Sequence, residues 1–378
     1  MRILFVNRMA SMVRGGGETF DLEISRHLEG LGCETSFVTG VPLVGRARAP
    51  IDRPRSYVLR TPWLAWFPWD KVKGGWRVRV LDLRLFEERA ASWTARRKDR
   101  FDVVQVCELP FFVAKLKGLA PSMPVVMRLT APDFYNVKDA VGLADAVIAS
   151  GATLDAIRAS IRADCADVPN GVDSALFRPH PSGFRAGRGI GTDEFVVLSV
   201  ARFQGVKNHR MLVGAFAKLL ASRPSSRLVL AGSGPLEDRV RRQCRDLGIL
   251  DRVLFLGEVP FKELSDIYAA ADAAVVASDY ESFCFAALEA MASGLPLVVT
   301  RTEWVPKLIG QDRGGIVVPV GDAEAMAGAL LQLACDPERR RAMGEWNAGR
   351  ALSEFGWEAS ALKLAAVYRR MVSGKEAA

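Results

Sequence analysis

Short apolar runs alternate with amphipathic stretches along the first half of the chain. The run Arg2–Asn7 predicts a buried strand, and Glu18–Leu31 carries its apolar residues on one helical face. A polar, Gly-rich loop, Ser11–Gly17, lies between them. Further strands are predicted at Thr35–Val38, Val103–Val106, Val125–Leu129 and Ala146–Ala149. This alternation is typical of a doubly wound α/β domain with a parallel sheet.

The same alternation begins again in the second half. The segment Pro179–Thr192 is rich in Pro, Gly and Arg and predicts an interdomain linker. Beyond it, apolar runs separated by helical patterns predict a second parallel α/β domain. Its predicted strands are Phe195–Val200, Arg227–Ala231, Val253–Leu256, Ala273–Ala277, Leu297–Thr300 and Gly315–Val318. Pro337–Ser353 and Trp357–Met371 predict two C-terminal helices.

Composition limits the classes of protein that need to be considered. The 378 residues suggest two domains of ordinary size, and a hydrophobic share of 49% is enough for two cores. The six cysteines show no CxxC spacing, which argues against a disulfide framework or a zinc site and fits a reducing compartment. The apolar run at the N-terminus is too short for a signal peptide, and no run approaches the roughly 20 residues that span a bilayer. We therefore expect a cytoplasmic protein.

The positive charge is concentrated in one segment. The net charge is +8, but residues 41–100 hold 15 Lys and Arg against 6 Asp and Glu, a net of +9, so the remainder sums to −1. Within it, Arg46–Trp69 predicts an irregular insertion and Trp76–Arg97 a basic helix. Five of the eight tryptophans also lie in this segment. Trp63, Trp66, Trp69, Lys71, Lys73 and Trp76 are the candidate contacts to an anionic membrane surface. The alternative is a well-packed insertion with a solvated basic face.

Two glutamates mark the strongest candidate site. Glu281 and Glu289, with seven residues between them, stand in the stretch ESFCFAALEAMASG, residues 281–294. Glu281 lies in a turn, and a helix is predicted from about Phe283 to Ser293, so a rise of about 1.5 Å per residue separates the carboxylates by roughly 10 Å. That distance is too long for a shared proton and suits two parts of one extended ligand. The free N–H groups at the start of the helix can bind an anion that lies between the two carboxylates.

Polar residues also follow the other predicted strands of the second domain. Arg202 and Lys207 come after Phe195–Val200, and Gly232–Pro235 follows Arg227–Ala231. The carboxyl ends of strands converge on one crevice in a doubly wound sheet. Two cations and a helix N-terminus at one crevice suit a diphosphate.

Six segments together resemble one family. They occur in the order seen in retaining glycosyltransferases of the GT-B fold, the large fourth family (glycosyltransferase group 1), and the likeness covers nearly the whole chain. The segments are GGGE (15–18), NGVD (170–173), ARFQGVKN (201–208), LAGSGP (230–235), LGEVP (256–260) and ESFCFAALEAMASGLP (281–296). The resemblance implies two Rossmann-like domains facing a cleft, with the last helix crossing back to the first domain. The domains would be 1–180 plus 357–378 on the acceptor side and 181–356 for the nucleotide sugar.

The resemblance also implies roles for particular residues. Arg202 and Lys207 would neutralise the donor diphosphate and stabilise the leaving group, and Glu281 would contact the transferred sugar; these three are the expected catalytic residues. Glu289 would bind the ribose hydroxyls of the nucleotide. The backbone of the segment Gly257–Val259 would contact the base, with Val259 as its donor-site residue. The other donor contacts that the resemblance implies are Gly16, Gly17, Gly232, Gly234, Phe283, Cys284 and Phe285.

The chain departs from the family pattern on the acceptor side. Many members carry a histidine after the strand that corresponds to Val125–Leu129, whereas here the sequence continues with Thr130, Ala131, Pro132 and Asp133. Glu108, Thr130 and Asp133 are the acceptor-side candidates in its place. His27, His180 and His209 are expected to be structural or solvated, with His209 the one that lies near the donor motif. Ser282 and Cys284 occupy positions where glycine is common.

The sequence therefore predicts a retaining hexosyltransferase. It would use a UDP- or GDP-sugar as co-substrate, need no metal or other cofactor, and act on a glycan or lipid-linked acceptor of the cell envelope or of polysaccharide synthesis. It would lie in the cytoplasm, with the inner face of the plasma membrane as a peripheral site. The alternatives are a nucleotide-sugar epimerase of related fold and a basic nucleic-acid-binding protein; we expect no nucleic-acid partner, because charge alone would leave the six segments unexplained.

Overall fold

A computed structural model of the protein describes residues 1–12, 16–44, 46–48, 51, 55–62, 75–130 and 137–376. The chain divides into two units, Met1–Gly171 with Trp357–Ala378, and Val172–Gly356. Each unit contains a parallel sheet with helices, so the predicted pair of Rossmann-like α/β domains is confirmed. Among the described helices, none has the combined length and apolar character needed to cross a bilayer.

The first unit is built on a sheet of seven parallel strands. They are β1 (Arg2–Val6), β2 (Glu34–Pro42), β3 (Ser56–Thr61), β4 (Val103–Cys107), β5 (Val125–Arg128), β6 (Ala146–Ala149) and β7 (Ala166–Asp167). The α-helices are α1 (Gly16–Gly30), α2 (Gly75–Ala95), α3 (Pro110–Leu119), α4 (Val137–Leu143), α5 (Gly151–Ser160) and, last in the chain, α14 (Trp357–Glu376). The strand order is β3-β2-β1-β4-β5-β6-β7, so the connections change direction between β1 and β4.

The second unit has a six-stranded parallel sheet of the same design. Its strands are β8 (Phe195–Val200), β9 (Ser226–Ala231), β10 (Val253–Gly257), β11 (Ala273–Val276), β12 (Leu297–Thr300) and β13 (Gly315–Val318). Its α-helices are α6 (Phe184–Gly187), α7 (His209–Ser222), α8 (Glu237–Asp246), α9 (Leu264–Ala269), α10 (Phe285–Ala292), α11 (Val305–Leu308), α12 (Ala323–Cys335) and α13 (Pro337–Phe355). The strand order is β10-β9-β8-β11-β12-β13. The central strands are continuous apolar runs because helices cover both faces of the sheet.

The last helix returns to the first unit, as predicted. Helix α14 packs against α1, and the ring of Trp357 lies 5.8 Å from that of Phe20. Farther along, the buried hydroxyl of Tyr368 donates a 2.5 Å hydrogen bond to Oε1 of Gln105 on β4. A polar network continues from there, since Nε2 of Gln105 donates to the buried carboxylate of Asp21.

Two predictions about irregular segments were wrong. Part of the predicted insertion 46–69 forms the edge strand β3, which pairs in parallel with β2 from Ser56 to Thr61. The segment Pro179–Thr192 is not a linker, because it belongs to the second unit, where Arg185 donates to the carbonyl of Ala270 (2.7 Å) and pairs with Asp272 (2.6 Å). The division between the units accordingly follows Gly171 rather than residue 180.

Candidate active site

The second unit changes the direction of its connections between β8 and β11. These strands are neighbours in the sheet although β9 and β10 lie between them in sequence. At such a reversal the loops that leave the two strands diverge and open a crevice at the carboxyl edge of the sheet. The crevice is bordered by residues 201–208 after β8 and 277–284 after β11. Arg202, Lys207 and Glu281 all lie on these two loops.

Lys207 and Glu281 form an ion pair across this crevice. Nζ of Lys207 donates a 2.6 Å hydrogen bond to Oε1 of Glu281, and Oγ of Ser278 donates to the same oxygen at 2.7 Å. The Lys207 side chain keeps 25% of its exposure and that of Glu281 only 9%. The backbones are joined as well, since the amide of Asp279 donates to the carbonyl of Val206 at 2.8 Å. Contacts within the protein therefore fix the pair, and the ammonium is partly open to solvent.

A glycine turn supports the loop that carries Arg202. Gly232 and Gly234 have φ values of +134° and +159°, and a Cβ at Gly232 would lie 2.1 Å from the carbonyl oxygen of Ala201. The Gly232 amide also donates a hydrogen bond to the carbonyl of Gly257, the first residue of the segment Gly257–Val259. Arg202 itself is exposed and forms no ion pair within the described part of the chain. The glycines are thus required for loop packing, and the guanidinium is left available.

Helix α10 begins at Phe285 rather than at the predicted Phe283. The preceding residue, Cys284, adopts the left-handed conformation with φ 75° and ψ 83°, which ends the turn and starts the helix. Such a backbone is strained for a residue that carries a side chain, and strain of this kind concentrates at functional sites. Among the described groups, no carbonyl or side chain accepts from the amides of Phe283, Cys284 or Phe285. These amides suit an anion.

Glu289 lies on the buried side of α10 and is 9% exposed. Its Oε2 accepts a 2.9 Å hydrogen bond from the hydroxyl of Tyr268, a fully buried residue on α9. Burial raises the pKa of Glu289 to about 7, while the Tyr268 hydrogen bond acts in the opposite direction. Sequence patterns did not indicate Tyr268, because an aromatic residue in an apolar helix predicts only packing.

The neighbouring histidine and cysteine serve packing. His209 is 4% exposed and stacks on Phe203 with ring centroids 4.3 Å apart. Burial, helped by the charge of Lys207, lowers its pKa to about 4, so the imidazole is neutral at physiological pH. Burial likewise raises the pKa of the Cys284 thiol, which therefore stays protonated.

In the first unit, the structure brings Glu108 and Thr130 together. Oε1 of Glu108 accepts from the amide of Thr130 at 2.6 Å and from its hydroxyl at 2.5 Å. Glu108 has φ 54°, a left-handed backbone directly after β4. Gly16 and Gly17 begin α1 at the same sheet edge, where a Cβ on Gly17 would lie 3.3 Å from Sγ of Cys107. Asp133, the third acceptor-side candidate, lies outside the described residues.

Arg128, at the end of β5, was not predicted. It is 5% exposed, its guanidinium lies 3.9 Å from the centroid of the Phe20 ring, and it donates to Oδ1 of Asn170 at 2.8 Å. An arginine that ends the apolar run VVMR was the available signal. Because its charge is enclosed by protein contacts, we interpret Arg128 as part of the framework of this edge.

Comparisons with known proteins agree with this geometry. The family model for glycosyl transferases group 1 matches residues 183–349, most of the second unit. A D-inositol 3-phosphate glycosyltransferase from Segniliparus rotundus is 34% identical over 212 residues, which are 55% of this chain and 47% of that protein. The chain spans about half of the length of the curated relatives that it matches. The match to the family model therefore lies within the second unit.

Two solved structures share the fold over the full length. Sucrose-phosphate synthase from Thermosynechococcus elongatus has a TM-score of 0.82 at 22% identity, covering 99% of each chain. HepE from Anabaena, solved in complex with UDP, has a TM-score of 0.78 at 20% identity, covering 98% of this chain and 100% of that one.

Proposed function

We propose that this protein is a retaining glycosyltransferase. It moves a hexose-type sugar from a UDP- or GDP-sugar to a glycan or lipid-linked acceptor in cell-envelope or polysaccharide synthesis. The observation that carries the proposal is the Lys207–Glu281 pair at the β8–β11 reversal, beside the open amides before α10. The group 1 match of the same unit supports it, as do a glycosyltransferase relative and a structural neighbour solved with UDP.

The donor diphosphate would lie between the cations and the start of α10. Lys207 and Arg202 neutralise its charge, and this interaction strengthens as the bond from the anomeric carbon to the phosphate oxygen breaks. A donor group aimed at developing charge contributes about 10²–10³ in rate. In the described part of the chain, no three His, Cys, Asp or Glu side chains are close enough to hold a metal ion. The proposal assigns charge neutralisation to side chains and helix amides.

Retention requires the acceptor to attack the face from which the diphosphate leaves. The acceptor oxygen forms its bond to the anomeric carbon as the phosphate oxygen departs, and the hydroxyl proton passes to that departing oxygen. Glu281 orients the sugar hydroxyls during this exchange. The anomeric configuration of the product, read by NMR coupling constants, tests this step: an inverted linkage contradicts it.

The donor site is tested by thermal shift. UDP or GDP should raise the Tm of the wild type, and Lys207→Ala should abolish most of that shift, because the ammonium that faces the diphosphate is removed. Lys218→Ala is the matched control, since Lys218 on α7 forms an exposed ion pair with Glu324 and neither residue belongs to the loops 201–208 and 277–284. The assignment fails if neither nucleotide stabilises the wild type or if both alanine variants behave alike.

We assign acceptor binding to the first unit, at Glu108 and Thr130. Their short hydrogen bonds fix the loop after β5, at the sheet edge that also holds Gly17. Glu108→Gln should raise KM for the acceptor while KM for the donor stays the same. A change in both would contradict a separate acceptor role.

We also propose peripheral attachment to an anionic membrane through α2. Its outer face exposes Trp76 (55%) and Leu81 (51%) beside Arg77 and Arg84. Trp63, Trp66, Trp69, Lys71 and Lys73 lie outside the described residues. Each basic residue near an anionic surface contributes about 1 kcal/mol. The protein should sediment with phosphatidylserine vesicles at low salt and remain in solution with neutral ones; no sedimentation with either contradicts the proposal.

A further inference from the structure

The hydrogen bond from Tyr268 to Glu289 identifies a residue of the donor site that the family motifs do not include. Resting on the function proposed above, we propose that Tyr268 is a positioning residue, which holds the Glu289 carboxylate so that one oxygen is presented to the ribose hydroxyls of the nucleotide. Three features of the structure support this role: the direction of the Tyr268 hydroxyl, the packing of its ring, and the Glu289 oxygen that it leaves unbonded.

The hydroxyl of Tyr268 has two oxygens within reach. Oε2 of Glu289 lies at 2.9 Å and the carbonyl oxygen of Ala286 at 3.2 Å. A single proton serves the nearer and charged acceptor more strongly, because hydrogen bonds to ionised groups are about twice as strong as neutral ones. The second contact keeps the hydroxyl over the first turn of α10. Tyr268 thereby connects α9 to the helix that carries Glu289.

The ring of Tyr268 is fixed by its surroundings. It is 1% exposed and packs edge-on against Phe177, with centroids 5.7 Å apart and an interplanar angle of 83°. Phe177 is itself 1% exposed, in the same apolar cluster. Close packing around a buried ring restricts its rotation, so the hydroxyl is held towards α10.

Only one carboxylate oxygen of Glu289 accepts a hydrogen bond from the described residues. Within the described residues Oε2 accepts from Tyr268, and no side chain or amide donates to Oε1. The residue nevertheless keeps 9% of its accessible surface. A carboxylate with one anchored oxygen has a fixed plane, so the other oxygen can accept from vicinal hydroxyls in one orientation.

The same contact favours the ionised form of Glu289. Burial raises its pKa to about 7, and the hydroxyl of Tyr268 lowers it. The titratable groups that face it among the described residues are Tyr268 on α9 and Cys284 before α10, both neutral because burial raises their pKa values. Removing the hydroxyl therefore moves the pKa of Glu289 upwards, and binding that needs the carboxylate is lost at a higher pH than in the wild type.

The test compares ribose and dideoxyribose nucleotides by isothermal titration. UDP, GDP and their 2′,3′-dideoxy forms are titrated into the wild type, Tyr268→Phe and Tyr368→Phe. The control removes another buried tyrosine hydroxyl, which donates to Gln105 in the first unit. The wild type should prefer the ribose form about tenfold. Tyr268→Phe should lose most of that preference with little change for the dideoxy form, and Tyr368→Phe should keep it.

The outcomes separate this inference from the proposed function. If the wild type prefers ribose and Tyr268→Phe keeps the full preference, Tyr268 is a packing residue and the inference is wrong. Equal binding of both sugars by the wild type also overturns it. If the wild type binds neither UDP nor GDP, the proposed function itself fails. In a pH series, the midpoint at which affinity falls should lie higher in Tyr268→Phe; an unmoved midpoint contradicts the positioning role.

Discussion

The two units place a glutamate and a cation at the carboxyl edge of a parallel sheet, but they use them differently. In the second unit Lys207 contacts Glu281 and keeps a quarter of its exposure. In the first unit the glutamate, Glu108, binds the loop at Thr130, and the cation, Arg128, is enclosed between Phe20 and Asn170. We infer that the cation serves a ligand in the second unit and the framework in the first, and that the exposure of the cation distinguishes the two.

The largest expected effect separates the two members of the Lys207–Glu281 pair. Glu281→Gln should lower kcat by about 10²–10³, because the sugar loses the charged acceptor that orients its hydroxyls. Affinity for UDP or GDP should be unchanged or tighter, since Lys207 is no longer shared with a carboxylate. Steady-state kinetics and nucleotide titration check both halves. Asp279→Asn, at an exposed position of the same loop, is the control; a loss of nucleotide affinity in Glu281→Gln would contradict the comparison.

A second effect concerns a buried carboxyl group in each unit. Burial raises the pKa of Glu289 from 4.5 to about 7 and that of Asp21 from 3.8 to about 6. Because each folded value lies above the unfolded one, the folded state binds more protons, and stability falls as pH rises through that interval. Each group should account for up to about 3 kcal/mol of this loss.

Denaturant unfolding as a function of pH measures these two contributions. Glu289→Gln should flatten the stability profile up to about pH 7, and Asp21→Asn only up to about pH 6. Nucleotide binding should respond to the first substitution alone, because Asp21 is bonded to Asn7 and Gln105 inside the first unit. Profiles that keep the wild-type slope would mean that these carboxyls are ordinary in the folded protein.

The smallest effect tests the enclosed cation. Arg128→Met should reduce the free energy of unfolding by about 2 kcal/mol, since it removes the charged hydrogen bond to Asn170 and leaves that amide oxygen without its donor. The thermal shift with UDP or GDP should remain as in the wild type. If stability is retained while turnover is lost, Arg128 serves a ligand after all and the contrast between the units disappears.

The sequence predicted the second unit better than the first. The run Phe195–Val200 was predicted with the bounds of β8, because a strand covered on both faces is a continuous apolar run. The edge strand β3 was missed because only one side of it is paired, and its exposed positions sit among Pro and Arg. Pro179–Thr192 was mistaken for a linker because composition does not show that Arg185 binds Asp272.

For the site, the spacing of residues in the sequence predicted the main candidates, but the contacts between distant segments could not be predicted. Arg202, Lys207 and Glu281 follow predicted strands, and Glu289 lies within a predicted helix, so the sequence placed them on neighbouring elements. The contribution of Tyr268 depends on α9 packing against α10, and that of Arg128 on the ring of Phe20. Both are long-range contacts between segments whose patterns predict only burial.

The most direct measurement is a crystal structure of the protein with UDP or GDP. We predict a β-phosphate oxygen about 3 Å from Nζ of Lys207, with the amides before α10 bound to the same phosphate and the ribose hydroxyls bound to Glu289. Lys207 would then be drawn from Glu281 towards the diphosphate or shared between them. A nucleotide bound away from the β8–β11 reversal, with the Lys207–Glu281 pair undisturbed, would contradict it.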